Sequence, residues 1–297
     1  FTYTIKDGDG DTSHTTLTIS IGDSTPSDTI PAPGGADTTV YEAGLAARPG
    51  ESAGSNAAAN SETTSGTIGF TSPDGIQAVS LGGHVLTGVP QTFTDATGSM
   101  TASYAYDATT GVGSISYAYT LTTNTSGDNT STSFAVVVTD ADGDTAPAGN
   151  LVINIVDDVP TAHNDTDSVG ANQFTAETGN VITGTGTTSG AAGADIQGAD
   201  GASVSHIQSN NVGGAGLDIS GNTIINGQYG TLTIDASGQY SYVRNAGSAG
   251  GVNDVFTYTL KDGDTDTSTA TLTINIGDST PTYTLPATGD GVTTVYE

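Results

Sequence analysis

The sequence has 297 residues, with 32 Asp and Glu against 4 Lys and Arg, a formal net charge of −28, 42 Gly and neither Cys nor Trp. With Lys6, Arg48, Arg244 and Lys261 as its only cations, it excludes a nucleic-acid partner, because phosphate binding rests on basic patches. Zero cysteine excludes disulfides, thiolate metal sites and thiol catalysis. No run approaches the ~20 apolar residues of a membrane-spanning helix, so no membrane insertion is expected.

In chain order, Phe1 opens directly into the alternating run FTYTI, with no signal-peptide pattern. An aspartate-rich turn and a second strand, TLTISI, follow. Residues Gly44 to Ser65 read as a long irregular crossing. Short alternating or apolar runs then recur, bounded by Gly, Asn, Asp and Ser: Val79–Leu81, Ser103–Ala108, Ser114–Leu121, Ser133–Asp140, Leu151–Val156, Gly230–Asp235, Gln239–Val243, Val255–Leu260 and Thr271–Ile276. Rich in Thr, Val, Ile and Tyr, they predict strands, and no window of ten or more residues keeps a helical period. A hydrophobic fraction of 34% and a charged fraction of 12% lie below globular norms and admit disorder. The strand pattern argues against it, and the fold class expected is all-β.

Residues 1–42 return without a gap as residues 256–297, an offset of 255. A fainter copy, residues 133–160, aligns Phe134 with Phe1 and Phe256, and Pro160 with Pro26 and Pro281. Each copy is a strand, an acidic turn, a second strand, then a Pro-containing linker. Residues 1–27 are therefore expected to be the last two strands of a preceding sandwich, residues 28–157 and 158–278 two domains, and residues 279–297 the start of a further repeat. Domains of roughly 120–130 residues suit β-sandwiches of seven or more strands. Two strands cannot bury a core alone, so the chain is expected to continue upstream. Alternatively, the orphan hairpin completes a domain contributed by another molecule.

The three turns place carboxylates at alternate positions: Asp7, Asp9 and Asp11; Asp140, Asp142 and Asp144; Asp262, Asp264 and Asp266. Such crowding is unfavourable unless a cation neutralises it, and hard oxygen ligands at this density suit Ca²⁺. The run begins like an EF-hand loop, but its twelfth position is Thr18, Leu151 or Thr273 instead of Glu. If the last strand runs to the far pole, the turn before it lies at the near pole beside the preceding linker. Asp262, Asp264 and Asp266 are then expected near Asp157, Asp158, Asp165 and Asp167. Asp140, Asp142 and Asp144 are expected near Asp23 and Asp28, and Asp7, Asp9 and Asp11 near a linker further upstream. Asp278, the repeat counterpart of Asp23, completes the candidate calcium set. Solvated Asp-Gly hairpin turns are the alternative for all three.

Several motifs resemble the tandem bacterial Ig-like repeats of giant RTX adhesins. VYEAGL (Val40–Leu45), SETTSGTIGFTSPDGI (Ser61–Ile76), VSLGG (Val79–Gly83) and VTDADGDT (Val138–Thr145) resemble the type I secretion repeat. VPTAHNDTDSV (Val159–Val169), GNVITG (Gly179–Gly184), YGTLTIDASGQYSY (Tyr229–Tyr242) and FTYTLKDGDTDTSTATLTI resemble the VCBS or cadherin-like repeat. The resemblance implies tandem Ig-like/cadherin-like β-sandwich domains joined by short Pro-containing linkers. It also implies an extracellular stalk on the bacterial cell surface, stiffened by calcium, that projects a distal ligand-binding region for adhesion or biofilm formation. The partners implied are neighbouring repeats of the same chain. The RTX nonapeptide array is absent apart from one match, GGAGLDISG (Gly213–Gly221), and a β-roll needs tandem copies.

Other readings are weaker. The same Asp pattern in three copies suits a scaffold better than a glycosidase carboxylate pair. His14, His84, His163 and His206 are isolated, and no nucleophile elbow or phosphate loop is present, so the chain is read as non-enzymatic. An end-to-end filament or matrix fibre, self-associating through the orphan hairpin, remains an alternative. So does a calcium-dependent carbohydrate module in which Tyr104, Tyr106, Tyr117 and Tyr119 form a stacking platform rather than cross-strand packing pairs.

Overall fold

The computed structural model describes residues 1–285; the predicted start of a further repeat therefore falls mostly outside the described residues. The chain divides into two compact units. The first comprises Phe1–Val40, Thr63–Thr122 and Ser131–Ile155; the second comprises Tyr41–Glu62, Thr123–Thr130 and the chain from Val156 onward. Among the described residues no helix is long and apolar enough to cross a membrane.

The first unit takes its strands from β1 (Thr2–Lys6), β2 (Thr12–Thr16), β3 (Ser27–Thr29), β4 (Thr39–Tyr41), β5 (Thr63–Thr71), β6 (Ala78–Leu81), β7 (His84–Val85), β8 (Gln91–Thr94), β9 (Gly98–Asp107), β10 (Val112–Leu121), β11 (Asn129–Thr139) and β12 (Gly149–Val156). Two five-stranded sheets result, ordered β3-β5-β10-β9-β8 and β4-β12-β11-β6-β7. Alternation decides the facing: Ile115, Tyr117, Tyr119 and Leu121 of β10 turn inward with Phe134, Val136 and Val138 of β11, while Ser114 and Ser116 do not. Tyr117 donates its hydroxyl to the Asp37 carbonyl at 3.0 Å, and Tyr119 lies 2.7 Å from Thr97 Oγ1. A buried tyrosine needs such a partner. Because Tyr117 and Tyr119 are buried, the four tyrosines do not share an exposed stacking face.

The hairpin β1–β2 forms a separate two-stranded sheet, every residue of it exposed. Its second strand stops at Thr16, short of the predicted Ile21. The repeat counterparts of Thr18–Ile21, residues 273–276, pair with residues 252–255 and with a further strand on their other side. Among the described residues no strand pairs with Thr18–Ile21.

The second unit contains β13 (Asp165–Val169), β14 (Glu177–Asn180), β15 (Ala202–Ser209), β16 (Leu217–Asp218), β17 (Thr223–Asn226), β18 (Gly230–Ile234), β19 (Gln239–Arg244), β20 (Val252–Asp262) and β21 (Thr267–Ile276). Its sheets run β13-β21-β20-β15-β16 and β14-β19-β18-β17. The first strand joins the last in parallel, Asp165 opposite Leu272 and Val169 opposite Ile276. The other pairings are antiparallel, with a bulge between Val204 and His206. Phe256, Tyr258 and Leu260 of β20 face Leu232, Ile234, Tyr240 and Tyr242 of the opposing sheet in one core. The nonapeptide match, Gly213–Gly221, supplies only the short edge strand β16, whose Asp218 lies 2.8 Å from His206 Nδ1.

Candidate metal centre

All three acidic turns close by the same local chemistry. The first aspartate accepts backbone N–H bonds from the residues that complete the turn: Asp7 from Gly10 and Asp11, Asp140 from Gly143 and Asp144, Asp262 from Asp266. A backbone bond from its own N–H to the carbonyl four residues on reinforces each turn, at 3.0, 3.0 and 3.1 Å. The turn therefore forms wherever its sequence occurs. What it meets afterwards differs.

In the second unit β20 ends by turning Asp262 inward, and the turn comes to lie beside the linker residue Asp157. Carboxylate oxygens of Asp157, Asp262, Asp264 and Asp266 lie within 4.8 Å of one another, and those of Glu42, Asp157 and Asp200 form another such group. All six residues belong to this unit. Asp262 is 9% exposed and Glu42 0%. Both Asp157 oxygens, Glu42 Oε2, Asp200 Oδ2, Asp262 Oδ2 and Asp264 Oδ1 are buried without a hydrogen-bond partner. Three other oxygens of the group have donors: Thr125 donates N–H and O–H to Glu42 Oε1 at 2.7 and 2.8 Å, the Gly127 N–H donates to Asp264 at 3.0 Å, and the Asp266 N–H donates to Asp262 at 2.8 Å.

Burial pushes Asp157, Asp200 and Asp262 up to about 6, and the neighbouring carboxylates push the same way. Burial pushes Glu42 to about 7 despite the Thr125 donors. Bare buried carboxylate oxygens are costly unless a cation or proton answers them. A cavity of about 260 Å³, lined by Asn124, Thr125, Ser126, Asp200, Gly263 and Asp264, opens at this point. The donors are all hard oxygens, which fits Ca²⁺ and neither a thiolate nor an imidazole metal.

The first unit repeats the arrangement in a more open form. Asp140, Asp142 and Asp144 make one carboxylate group, and Asp142 joins Asp23 and Asp74 in another. Asp140 is buried with Oδ2 unpartnered, and Asp28 Oδ2, on β3, is likewise bare. The Asp140 carboxyl beside it, then burial, raises Asp142 to about 6. Asp74 accepts the N–H and O–H of Ser24, both at 2.8 Å. Asp7, Asp9 and Asp11 gather no fourth carboxylate among the described residues and stay exposed.

Four further candidates have other neighbours. Asp158 accepts both the N–H and the hydroxyl of Ser55. Asp165 and Asp167 face inward on β13, where Ser189 donates to Asp165 at 2.8 Å and Tyr240 to Asp167 at 2.6 Å. Burial raises both, Asp165 to about 7. Asp278 lies just past β21 against Gly250 and Gly251.

Residues 149–275 match the bacterial Ig domain. The match runs from β12 to β21, taking in Asp157, Asp200 and the turn Asp262–Asp266 but not Glu42. No curated protein matches the sequence. Among solved structures the chain is similar to the D00-D0 domain of intimin, at 12% identity and TM-score 0.27, covering 84% of this chain and 98% of that one. It is similar to a 1.5-MDa bacterial ice-binding adhesin studied for host cell surface retention, at 18% identity and TM-score 0.27, covering 93% and 73%. It is similar to the zebrafish RET cadherin-like domains 1 to 4, at 11% identity and TM-score 0.24, covering 92% of this chain and about half, 56%, of that one. The architecture is all-β, with tandem Ig-like β-sandwiches.

Sequence reasoning misses Glu42, Asp74 and Asp200. Two of them share a local signal: Asp74-Gly75 and Asp200-Gly201 each precede a strand, β6 or β15, that pairs with the strand carrying the acidic turn. Glu42 gives no such signal. It sits in a short 3-10 turn, Glu42–Gly44, at the entrance to the segment read as irregular, Gly44 to Ser65.

Proposed function

We propose that this chain is an extender segment of a secreted bacterial surface adhesin, a non-enzymatic stalk whose repeats are stiffened by calcium and which carries a distal ligand-binding region outward. The observation that carries the reading is the Asp157 cluster. It draws acidic side chains from the linker, from the turn Asp262–Asp266, from the Asp200 loop and from Glu42, and leaves their buried oxygens bare. Asp157, Asp262, Asp264 and Asp266 are the residues that would hold Ca²⁺; Asp23, Asp74, Asp140 and Asp142 would do so in the first unit. Bound there, the ion supplies positive charge that offsets the mutual repulsion and fastens the linker to the acidic turn.

The bacterial Ig match over residues 149–275 supports an extracellular setting, and the net charge of −28 favours cations as ligands. Small-angle scattering with thermal melting, in 5 mM CaCl₂ and in EDTA, tests the reading. An extended, narrow profile with a higher melting temperature in calcium is expected. The same profile and melting temperature in both buffers would reduce the clusters to ordinary turns.

One observation favours a second reading, end-to-end assembly: the exposed apolar side chains of residues 1–21, among them Phe1, Tyr3, Ile5, Leu17, Ile19 and Ile21. Sedimentation in calcium separates the two, since the stalk stays monomeric in dilute solution and the filament grows with concentration.

A further inference from the structure

The carboxylates around Asp157 fall into two groups. Oxygens bound to one Ca²⁺ at about 2.3–2.6 Å lie within roughly 5 Å of one another. The structure offers two groups that each meet this limit, Asp157 with Asp262, Asp264 and Asp266, and Asp157 with Glu42 and Asp200. They share Asp157, whose two oxygens are both buried and both unpartnered. The second group has its own independent mark of a ligand: Glu42 is fully buried, and its Oε2 has no donor. One divalent ion among six carboxylates would leave a formal charge of −4, which Arg48 offsets in part beside Asp200. Two ions would leave −2. The cavity bounded by Thr125, Ser126, Asp200 and Asp264 gives water access to complete the coordination that three carboxylates leave open.

We infer that the centre binds two divalent cations bridged by Asp157, the second held by Glu42 and Asp200. The inference rests on the calcium reading above and adds a site with its own ligands. Glu42 precedes the linker by more than a hundred residues and Asp200 follows it, so this second ion ties Tyr41–Glu62 to the loop that leads into β15.

Equilibrium dialysis of the whole chain against Ca²⁺, with bound metal measured by mass spectrometry, tests the count by difference. Relative to the unaltered chain, Glu42→Gln is expected to lose one ion, Asp266→Asn one, the double variant two, and Asp157→Asn alone two. Asp200→Asn, at a less buried position, should reproduce the loss of Glu42→Gln, and far-ultraviolet circular dichroism confirms folding of each variant. If the double variant loses only one ion, the cluster is mononuclear: the second site is overturned and the calcium reading stands. If none of these substitutions changes the bound calcium, the calcium reading fails and the second site with it.

Discussion

The hairpin at residues 1–21 and its counterpart at residues 256–276 are identical at sixteen of twenty-one positions, yet they have different fates. They share a register, Thr2 opposite Thr16 and Thr257 opposite Thr271, and they share the turn. In the first, five-residue strands stand alone, with Phe1 86% and Ile21 92% exposed. In the second, strands of eleven and ten residues lie between β15 and β13, with Phe256 0% and Ile276 3% exposed. Local sequence therefore sets the turn and the register, through the Asp carboxylate that caps the turn and the pairing it dictates. Strand length, burial and any partner for the acidic turn come from the neighbouring strands.

Core truncation should widen the contrast most. Phe256→Ala empties a fully buried site packed against Tyr242 at a ring separation of 6.2 Å, and is expected to cost about 3–5 kcal/mol. Phe1→Ala, at the equivalent exposed position, should change stability by less than about 0.5 kcal/mol. Urea unfolding measures both, followed at the second unit's transition for Phe256→Ala and at the first unit's for Phe1→Ala. Equal losses would mean that the first hairpin is buried in solution.

Metal removal probes the turns next. At calcium one hundred times the dissociation constant, a site stabilises the fold by about 2.7 kcal/mol. Asp264→Asn should remove much of that gain, while Asp9→Asn, in the exposed hairpin, should remove none. Both are read as the melting temperature in Ca²⁺ minus that in EDTA.

The pH dependence in EDTA follows from the raised carboxyls. Glu42 at about 7 and Asp157, Asp200 and Asp262 at about 6 hold protons in the folded state that the unfolded chain releases near 4. The folded state therefore binds more protons between about pH 4 and 7, and stability falls as pH rises through that window. The EDTA melting temperature should be higher at pH 5 than at pH 7.5, and Asp264→Asn should flatten the slope by relieving Asp157, Asp200 and Asp262. Calcium should reverse the trend, because it binds the deprotonated form. A second-unit melt that does not change with pH would contradict the burial of these groups.

The same division between local and long-range causes decides how much of the molecule is legible in the sequence. Ser114–Leu121, Val255–Leu260 and Thr271–Ile276 are readable as strands because Ile, Tyr, Phe and Leu alternate with Ser and Thr, and each lies inside an observed strand. DTDSV of β13 is not: its inward residues include Asp165 and Asp167, acceptable in a core only because Ser189 and Tyr240 donate to them. The juxtaposition of Asp157 with Asp262, Asp264 and Asp266 is readable from repeat grammar and strand direction. Glu42 is not, because its burial depends on the 123–130 loop, whose Thr125 lies more than eighty residues away in sequence. Asp74 and Asp200 fall between, marked by Asp-Gly but indistinguishable from ordinary turns until the strand order is known.

The finest difference lies inside the turn itself. Gly10 and Gly143 occupy its fourth position with φ of 106° and 105°; in the third copy Thr265 stands there at φ 94°. A β-branched residue in this region is strained, and Thr265 is also the copy whose N–H does not join its neighbour's in bonding to the leading aspartate, as Gly10 and Gly143 do. Such strain is of order 1–3 kcal/mol and persists only where surrounding structure imposes it. Two contacts impose it here: Asp264 accepts from Gly127, and Asp262 and Asp266 sit in the Asp157 group. Thr265→Gly should therefore stabilise the second unit, by about 1 kcal/mol once the greater freedom of glycine in the unfolded chain is subtracted. Gly10→Thr, in the exposed hairpin, should leave the melting of both units unchanged because that turn supports no core. A destabilising Thr265→Gly would show that the threonine side chain makes a contact worth more than its strain, and that the third turn is shaped by its own sequence after all.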